Sequence, residues 1–269
     1  MRAKKSLGQH FLTSRAAVRD IVRAADVSKN DTILEIGPGK GILTEALCAS
    51  AKKVIAVEKD SHLVEYLKQK FHLEIASKRL ILFQGDALAC DYSTLFNIKN
   101  SRFKLVANIP YYITGDILRH FLSSSTQPSS MTLLVQKEVA ERIARSKKES
   151  ILSLSVKVYG TPRYVHTVPA KHFKPRPKID SAILTITNIS KDFFKTNKNS
   201  SAVSAEHDFF TLVHAGFAHK RKLLIRNLEK VSTKDAIKNA FLARDISLTA
   251  RAEDVPLEKW KYLVRLTNV

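Results

Sequence analysis

Residues 108–112 read NIPYY and combine an amide, a proline and two phenols at the end of an apolar run. A tight turn accounts for Asn108 and Pro110, but it does not account for two adjacent tyrosines. The same residues suit a reaction on the exocyclic amine of adenine, whose lone pair is delocalised into the ring. The side-chain oxygen of Asn108 and the carbonyl of Ile109 would each accept one amine hydrogen and so free that lone pair. Pro110 brings no competing N–H, and Tyr111 offers a flat surface on which a base can stack.

Glycines and carboxylates follow the apolar runs that come before residue 108. In an open parallel sheet these positions meet at the carboxyl ends of the strands, where ligands bind. They are Gly37, Gly39 and Gly41, then Glu58, Asp86 and Asn108. Each feature alone is common, because a strand-to-helix turn often needs a glycine and a carboxylate at a strand end is often only solvated. Together they predict a nucleotide site, in which the carboxylate of Glu58 accepts hydrogen bonds from the hydroxyls of a ribose.

The glycine spacing indicates which nucleotide binds. Residues 35–41 read EIGPGKG, which is neither the GxGxxG of dinucleotide folds nor a P-loop. This loop is the form seen in S-adenosylmethionine-dependent methyltransferases, whose cofactor has no pyrophosphate to bind. We therefore expect S-adenosylmethionine, with its amino-acid tail against Gly37 and Gly39, its ribose at Glu58 and its adenine at Asp86.

The elements that must position these residues alternate between strand and helix patterns over the first 190 residues, as in a parallel α/β sheet. Strands are predicted over 32–36, 53–58, 79–84, 103–108 and 131–136, with a late edge or hairpin strand over 180–187. Asp60 is expected to cap the helix that follows it. These patterns predict a Rossmann-like methyltransferase domain over 1–190, a Ser/Asn/Lys-rich linker over 191–205 and a smaller all-helical domain over 206–269.

Composition narrows the possible partners. The 269 residues are 44% hydrophobic, and 45 Lys and Arg against 25 Asp and Glu give a formal charge of +20. Such a charge favours a polyanionic partner such as nucleic acid, although a basic balance can also serve solubility alone. Cys48 and Cys90 lack disulfide or zinc spacing, and we expect no metal. No apolar run is long enough for a membrane span, and the N-terminus lacks the apolar core of a signal peptide, so a cytoplasmic protein without a membrane partner is expected.

Several motifs together resemble the ribosomal RNA adenine dimethyltransferases. They are SLGQHFL (6–12), EIGPGKGILTE (35–45), NIPY (108–111), VQKEVAERI (135–143), FKPRPKIDSAI (173–183), FAHKRKLLIRNL (217–228) and RAEDVPLEKW (251–260). The resemblance covers nearly the whole chain and is greatest to the housekeeping small-subunit members. It implies dimethylation of two adjacent adenosines in a hairpin near the 3′ end of small-subunit ribosomal RNA. It also implies S-adenosylmethionine as cofactor, the pre-small-subunit particle as partner and a monomeric enzyme.

The resemblance also assigns site residues. The family's cofactor positions fall on His10, Leu12, Gly37, Glu58, Asp86 and Asn108, and its second base-stacking aromatic falls on Phe173. Bacterial relatives usually carry Asn where this chain has His10, so His10 is either a cofactor contact or a capping or packing residue. Without the resemblance, Phe173 would be interpreted as a core residue.

Two basic segments are candidates for contact with RNA phosphates. FKPRPK presents Lys174, Arg176 and Lys178 on a proline-stiffened loop. The later helical part presents Lys220, Arg221, Lys222 and Arg226. A run of charges is often only a solvated helix face, but on a chain of this charge phosphate contact is the better interpretation.

Three other functions fit parts of the sequence. A large-subunit adenine methyltransferase of the antibiotic-resistance type would share the catalytic motifs, although RAEDVPLEKW favours the small-subunit enzyme. A non-catalytic assembly or transcription factor would keep the fold and bind RNA, but it would not need an intact NIPY. A nicotinamide-dependent oxidoreductase is disfavoured by the glycine spacing.

Overall fold

Seven strands form one central sheet in the computed structural model, which describes residues 8–90, 92, 102–196 and 202–264. Two further strands, β1 and β8, form a separate antiparallel pair. The nine strands are Phe11–Leu12 (β1), Thr32–Ile36 (β2), Lys53–Glu58 (β3), Leu80–Gln84 (β4), Phe103–Asn108 (β5), Ser130–Gln136 (β6), Thr161–Val168 (β7), Phe173–Lys174 (β8) and Ser181–Thr187 (β9). The sheet order is β4-β3-β2-β5-β6-β9-β7.

The strands from β4 to β6 are parallel, whereas β9 runs antiparallel to both of its neighbours. The parallel strands carry nearly continuous apolar runs because helices cover such sheets on both faces. The strand order reverses between β2 and β5, where Ile36 lies opposite Ala107. A reversal of this kind leaves a crevice at the carboxyl ends of the strands. The residues that follow Ile36 and Ala107 therefore meet at one place.

Helices connect the strands of the sheet and make up most of the C-terminal part. The described α-helices are Arg15–Ala24 (α1), Ile42–Ser50 (α2), Ser61–Lys70 (α3), His72–Ala76 (α4), Thr114–Ser123 (α5), Lys137–Ala144 (α6), Ile151–Lys157 (α7), Ala202–Gly216 (α8), Leu224–Leu228 (α9), Lys234–Leu242 (α10) and Leu257–Leu263 (α11). The side chain of Asp60 accepts a hydrogen bond from the backbone N–H of His62, which confirms the predicted cap of α3. Among the described ranges, no helix is long and apolar enough to cross a bilayer.

The predicted α/β fold is confirmed, with three differences in detail. The strand predicted over 180–187 as a late edge or hairpin strand lies inside the sheet, antiparallel to both β6 and β7. The edge is formed by β7, which the sequence did not reveal because it contains Pro162, Arg163 and His166 and a bulge after Tyr164. The two-residue strands β1 and β8 are too short to give a pattern.

The chain divides into two compact units. The first contains residues 1–141 and 161–189, and the second contains 142–160 and 190–269. This division differs from the predicted boundaries, because residues 142–160 lie with the second unit. Of the predicted linker over 191–205, Asp192–Thr196 forms a 3₁₀ helix and α8 begins at Ala202, while the residues between them lie outside the described ranges.

Aromatic packing explains why residues 142–160 belong to the second unit. The ring of Tyr159 contacts Phe194 and Phe210, with centroids 5.5 and 6.2 Å away. Its hydroxyl donates to Glu206 at 2.5 Å. These contacts join residues that are far apart in sequence, so a prediction from local patterns places them in different segments.

Candidate active site

One cavity opens at the carboxyl ends of β2, β3, β4 and β5. It is lined by every predicted cofactor and catalytic residue except Phe173, namely His10, Leu12, Gly37, Gly39, Glu58, Asp86, Asn108, Ile109, Pro110 and Tyr111. Chain positions from residue 8 to residue 113 contribute to the lining. The strand order therefore brings these residues together, as expected for a topological switch point.

The glycine turn forms one wall of the cavity. Gly37 and Gly39 adopt φ values of 66° and 59°, and Gly41 adopts 75°, a left-handed conformation that favours glycine. A Cβ at Gly39 would lie 3.1 Å from the ring of Phe11, and one at Gly41 would lie 2.5 Å from the ring of Phe71. Both conformation and space therefore require glycine at Gly41.

Glu58 ends β3 beside this turn and is only 6% exposed. Its carboxylate accepts hydrogen bonds from the backbone N–H groups of Gly39 at 3.1 Å and Asp60 at 2.9 Å. Burial raises the pKa of Glu58, although these two bonds act in the opposite direction. The two N–H groups fix the direction in which the carboxylate faces.

Asp86 follows β4 at the rim of the cavity. It accepts a hydrogen bond from the ammonium of Lys59 at 2.8 Å and another from the N–H of Leu88 at 3.0 Å. The bond from Lys59 lowers the pKa of Asp86, so the carboxylate stays ionised. Sequence reasoning did not single out Lys59, because its partner is 27 positions away.

Glu35 is a third carboxyl group in the cavity, and the sequence reasoning missed it. It lies within β2 two residues before the first glycine, is 1% exposed and lines the cavity. Its Oε2 has no hydrogen-bond partner among the described residues. Burial raises the pKa of Glu35 to about 8, and the nearby Glu58 adds to the effect. The available signal was an acidic residue inside an otherwise apolar strand, where a charge is costly.

The NIPYY segment faces the glycine turn. The amide nitrogen of Asn108 donates to the backbone carbonyl of His10 at 3.2 Å. Pro110 leads into a single 3₁₀ turn, Tyr111–Ile113. The hydroxyl of Tyr111 lies 2.6 Å from the hydroxyl of Ser181, which is fully buried at the start of β9. Asn108 and Tyr111 are therefore each held by a residue distant in sequence.

His10 contacts three parts of the site. Its backbone carbonyl holds Asn108, and its ring stacks on Tyr111 with centroids 5.9 Å apart and an angle of 20° between the planes. Its Nδ1 lies 2.8 Å from the carbonyl of Pro175. All of these contacts are to protein groups on the NIPYY side of the cavity.

Phe173 does not lie in the cavity. It pairs with Leu12 between β8 and β1, is 4% exposed and belongs to the hydrophobic core. Phe173 therefore occupies the core position that the sequence alone suggested, and its role as a second stacking aromatic stays a prediction. The strand pairing decides the direction of the side chain, and a two-residue strand was not visible in the sequence.

The predicted RNA-contacting residues are all exposed. Lys174, Arg176 and Lys178 surround Pro175 in the first unit, whereas Lys220, Arg221, Lys222 and Arg226 belong to the second. Arg226 lies 3.5 Å from Glu229, which is a weak surface ion pair.

A buried amide, absent from the sequence predictions, supports the second basic segment. Asn227 is 3% exposed and donates to the carbonyls of Gly216 at 2.6 Å and His219 at 3.2 Å. The N–H of Lys222 donates to the same His219 carbonyl at 3.0 Å. Asn227 therefore fixes the turn that presents Lys220, Arg221 and Lys222.

Comparisons of the sequence with known proteins indicate one family. The family model described as ribosomal RNA adenine dimethylase matches residues 1–268. A protein of Dehalococcoides mccartyi named ribosomal RNA small subunit methyltransferase A is 40% identical over 98% of this chain and 88% of its own length. Proteins of the same name from Fusobacterium nucleatum and Nostoc are 37% and 36% identical, over 98% and 100% of this chain and 97% and 99% of their own lengths.

Solved structures share the fold. A dimethyladenosine transferase from Plasmodium falciparum superposes with a TM-score of 0.79 at 24% identity, over 96% of this chain and 98% of that one. The 23S rRNA methyltransferase ErmE superposes with a TM-score of 0.75 at 23% identity, over 96% and 100%. At these identities the likeness concerns the fold alone, whereas the match of the family model and the identity to the curated relatives decide the family. The chain belongs to the ribosomal RNA adenine dimethylase family.

Proposed function

We propose that this protein dimethylates the exocyclic amines of two adjacent adenosines, in a hairpin near the 3′ end of small-subunit ribosomal RNA, during assembly of that subunit. Membership of the family supports a reaction on adenine, and the names of the curated relatives support the small subunit as the target. The observation that carries the chemistry is the shared cavity, in which Asn108 and the glycine turn both contribute to the lining.

The residues of the cavity fit S-adenosylmethionine, the family's cofactor, which when bound supplies a methyl group on a positively charged sulfur. Oε2 of Glu35 is a buried acceptor without a partner among the described residues, which suits the ammonium of the amino-acid tail. Glu58 would hold the ribose hydroxyls. Asp86, kept ionised by Lys59, would accept from the adenine amine.

The protein's own part in the reaction is to orient the target amine. The amine donates one hydrogen bond to Oδ1 of Asn108 and one to the carbonyl oxygen of Ile109. These two bonds reduce the conjugation of the nitrogen lone pair with the purine ring and leave it free to react. Pro110 contributes no N–H that would compete for these acceptors. Holding two reactants in line supplies most of the acceleration, and the methylated ammonium loses a proton to water, so no general base is required.

Tyr111 supports the target base by stacking. Its phenol is anchored on Ser181, and burial raises the pKa of Tyr111, which keeps the hydroxyl protonated. Because Phe173 lies in the core, we assign the stacking contact to Tyr111.

The exposed basic residues would dock the RNA through its phosphates. Arg176 and its lysine neighbours lie on the loop that His10 contacts through Pro175, beside the cavity. An extruded base needs its flanking backbone held close to the site. We infer that the substrate is the partly assembled particle and that the enzyme acts as a cytoplasmic monomer.

A transfer experiment tests the proposed function. Small-subunit particles from a strain that lacks this modification are incubated with the protein and tritiated S-adenosylmethionine, and primer extension maps the methylated positions in both ribosomal RNAs. We expect label on two adjacent adenosines of the small-subunit RNA. Label confined to the large-subunit RNA would assign the protein to the antibiotic-resistance type, and absence of label would favour a non-catalytic RNA-binding role.

The variant Asn108→Ala tests the role of the amide in the same assay. Loss of one acceptor should lower methyl transfer by about 100-fold, in line with the removal of one polar group that acts in a transition state. Particle binding, measured by filter retention, should stay within about two-fold because Asn108 is not a phosphate contact. Undiminished transfer would refute the role of Asn108.

A further inference from the structure

The orientation of the Asn108 amide is fixed by a group outside the NIPYY segment. The backbone carbonyl of His10 can only accept hydrogen bonds, so the atom that faces it at 3.2 Å must be the amide nitrogen of Asn108. The amide oxygen is thereby left for the cavity. If the amide were rotated by 180°, it would present donors to an amine that itself needs acceptors.

Pairing between β1 and β8 explains why this carbonyl points at Asn108. Thr13 donates its N–H to the carbonyl of His172 at 2.8 Å, and Phe11 lies opposite Lys174. In an antiparallel pair, hydrogen-bonded positions alternate with positions whose backbone groups face outward. His10 is three residues from Thr13 and falls on an outward position, so its carbonyl is free to accept from a neighbour other than β8.

The His10 side chain is engaged on the same side of the site. Its Nδ1 must carry the proton, because the Pro175 carbonyl 2.8 Å away is an acceptor. Its ring stacks on Tyr111, whose other anchor is the hydroxyl bond to Ser181. The imidazole and Ser181 together leave the Tyr111 ring little freedom to turn.

We propose that His10 is a positioning residue for the target adenosine, whose carbonyl sets the direction of Asn108 and whose ring holds Tyr111 against the Pro175 loop. This inference rests on the proposed function, and the expectation that the His10 side chain contacts the cofactor stays a separate prediction, which the cofactor Kd tests. It also connects the base grip to Lys174 and Arg176, which flank Pro175 and are exposed. Phosphate contact at that loop would be transmitted to the base through one hydrogen bond.

The variant His10→Ala removes the ring and keeps the backbone carbonyl. It therefore separates the positioning of Tyr111 by the ring from the orientation of Asn108 by the carbonyl. We expect the Kd for S-adenosylmethionine, measured by calorimetry, to stay within about two-fold, while the single-turnover rate of particle methylation falls by about ten-fold or more. His10→Phe keeps a ring on Tyr111 and loses only the bond to Pro175, so its rate should lie between those of the other two proteins. The matched control His62→Ala removes an exposed histidine from the same unit and should change neither quantity.

A double-mutant cycle tests whether His10 acts through Tyr111 or through a general effect on the fold. If His10 acts through Tyr111, His10→Ala should cost little further rate in a Tyr111→Ala background, whereas independent effects would multiply. A ten-fold weaker cofactor Kd with an unchanged rate, or multiplicative losses in the cycle, would overturn the proposal. The wild-type arm tests the proposed function separately: if only large-subunit RNA is labelled, the comparison of the His10 variants is made on that RNA.

Discussion

The burial of Glu35 is unfavourable for the stability of the fold but useful for binding a cationic ligand. A carboxyl group that is 1% exposed, with one oxygen unpartnered among the described residues, is costly to ionise. The same oxygen is the acceptor that a cationic ligand would use. Burial raises the pKa of Glu35 to about 8. Without a bound ligand, the folded protein therefore keeps a proton on Glu35 at neutral pH.

This protonation predicts a pH-dependent stability. The unfolded chain releases the Glu35 proton near the ordinary value of about 4.3, whereas the folded chain keeps it until about pH 8. Between these values unfolding releases a proton, so the free energy of unfolding should fall as the pH rises and should level off above pH 8. In Glu35→Gln, which mimics the neutral acid, this fall should be absent.

Urea titrations of both proteins at pH 5.5, 7 and 8.5 check the prediction. The stability of the variant relative to wild type should increase with each step in pH. The comparison between proteins cancels the titration of groups that they share. Parallel curves would show that Glu35 is already ionised in the folded chain.

At the scale of elements, Asn227 is the residue on which the second basic segment depends. Its amide nitrogen holds the carbonyls of Gly216 and His219, and it does so from the buried side of α9. Removal of one side chain should therefore move several exposed cations at once.

Asn227→Ala should lower the free energy of unfolding by about 1–3 kcal/mol, because the carbonyl of Gly216 loses its buried donor. It should also weaken particle binding, measured by filter retention, and leave the cofactor Kd unchanged, since Asn227 does not line the cavity. Asn239→Ala is the matched control, because Asn239 is exposed on α10. Particle affinity that stays at the wild-type value would show that the turn does not need Asn227.

Elements with strong local patterns could be predicted from the sequence, and elements defined by distant partners could not. The runs at 32–36, 53–58 and 103–108 match their strands residue for residue, since buried parallel strands are almost continuously apolar. The strand β7 and the pair β1–β8 show no such pattern. The place of Phe173 in the core follows from its pairing with Leu12, which lies far earlier in the chain.

The candidate site shows the same division. Residue types at strand ends were enough to identify Glu58, Asp86 and Asn108, because sheet topology brings strand ends together. Lys59 and Glu35 were missed because their significance depends on a neighbour and on burial. His10 was identified by resemblance, but the partners of its ring are known only from the fold.

At the scale of the whole molecule, the formal charge of +20 predicts steep salt dependence. Each lysine that neutralises a phosphate releases counterions, so the logarithm of the affinity should fall linearly with the logarithm of the salt concentration. In Lys220→Ala/Lys222→Ala the slope should decrease by about 0.7–0.9 for each phosphate that is no longer neutralised.

The double variant Lys29→Ala/Lys52→Ala has the same net charge and serves as the control. Both lysines are exposed and lie just before β2 and β3, at the end of the sheet opposite the cavity. Its slope should equal that of wild type. An equal decrease of the slope in both double variants would show that total charge, rather than Lys220 and Lys222, governs docking.

The bond between His10 and Pro175 also has a consequence for synthesis. The two residues are 165 positions apart. Because the ribosome makes about 5–20 residues per second, roughly ten to thirty seconds separate their appearance. During that interval the strands from β2 to β6 can already pair, while β1 has no partner. A nascent chain that has not yet reached Pro175 therefore lacks β8, the strand that holds β1 and with it the His10 carbonyl in place beside Asn108.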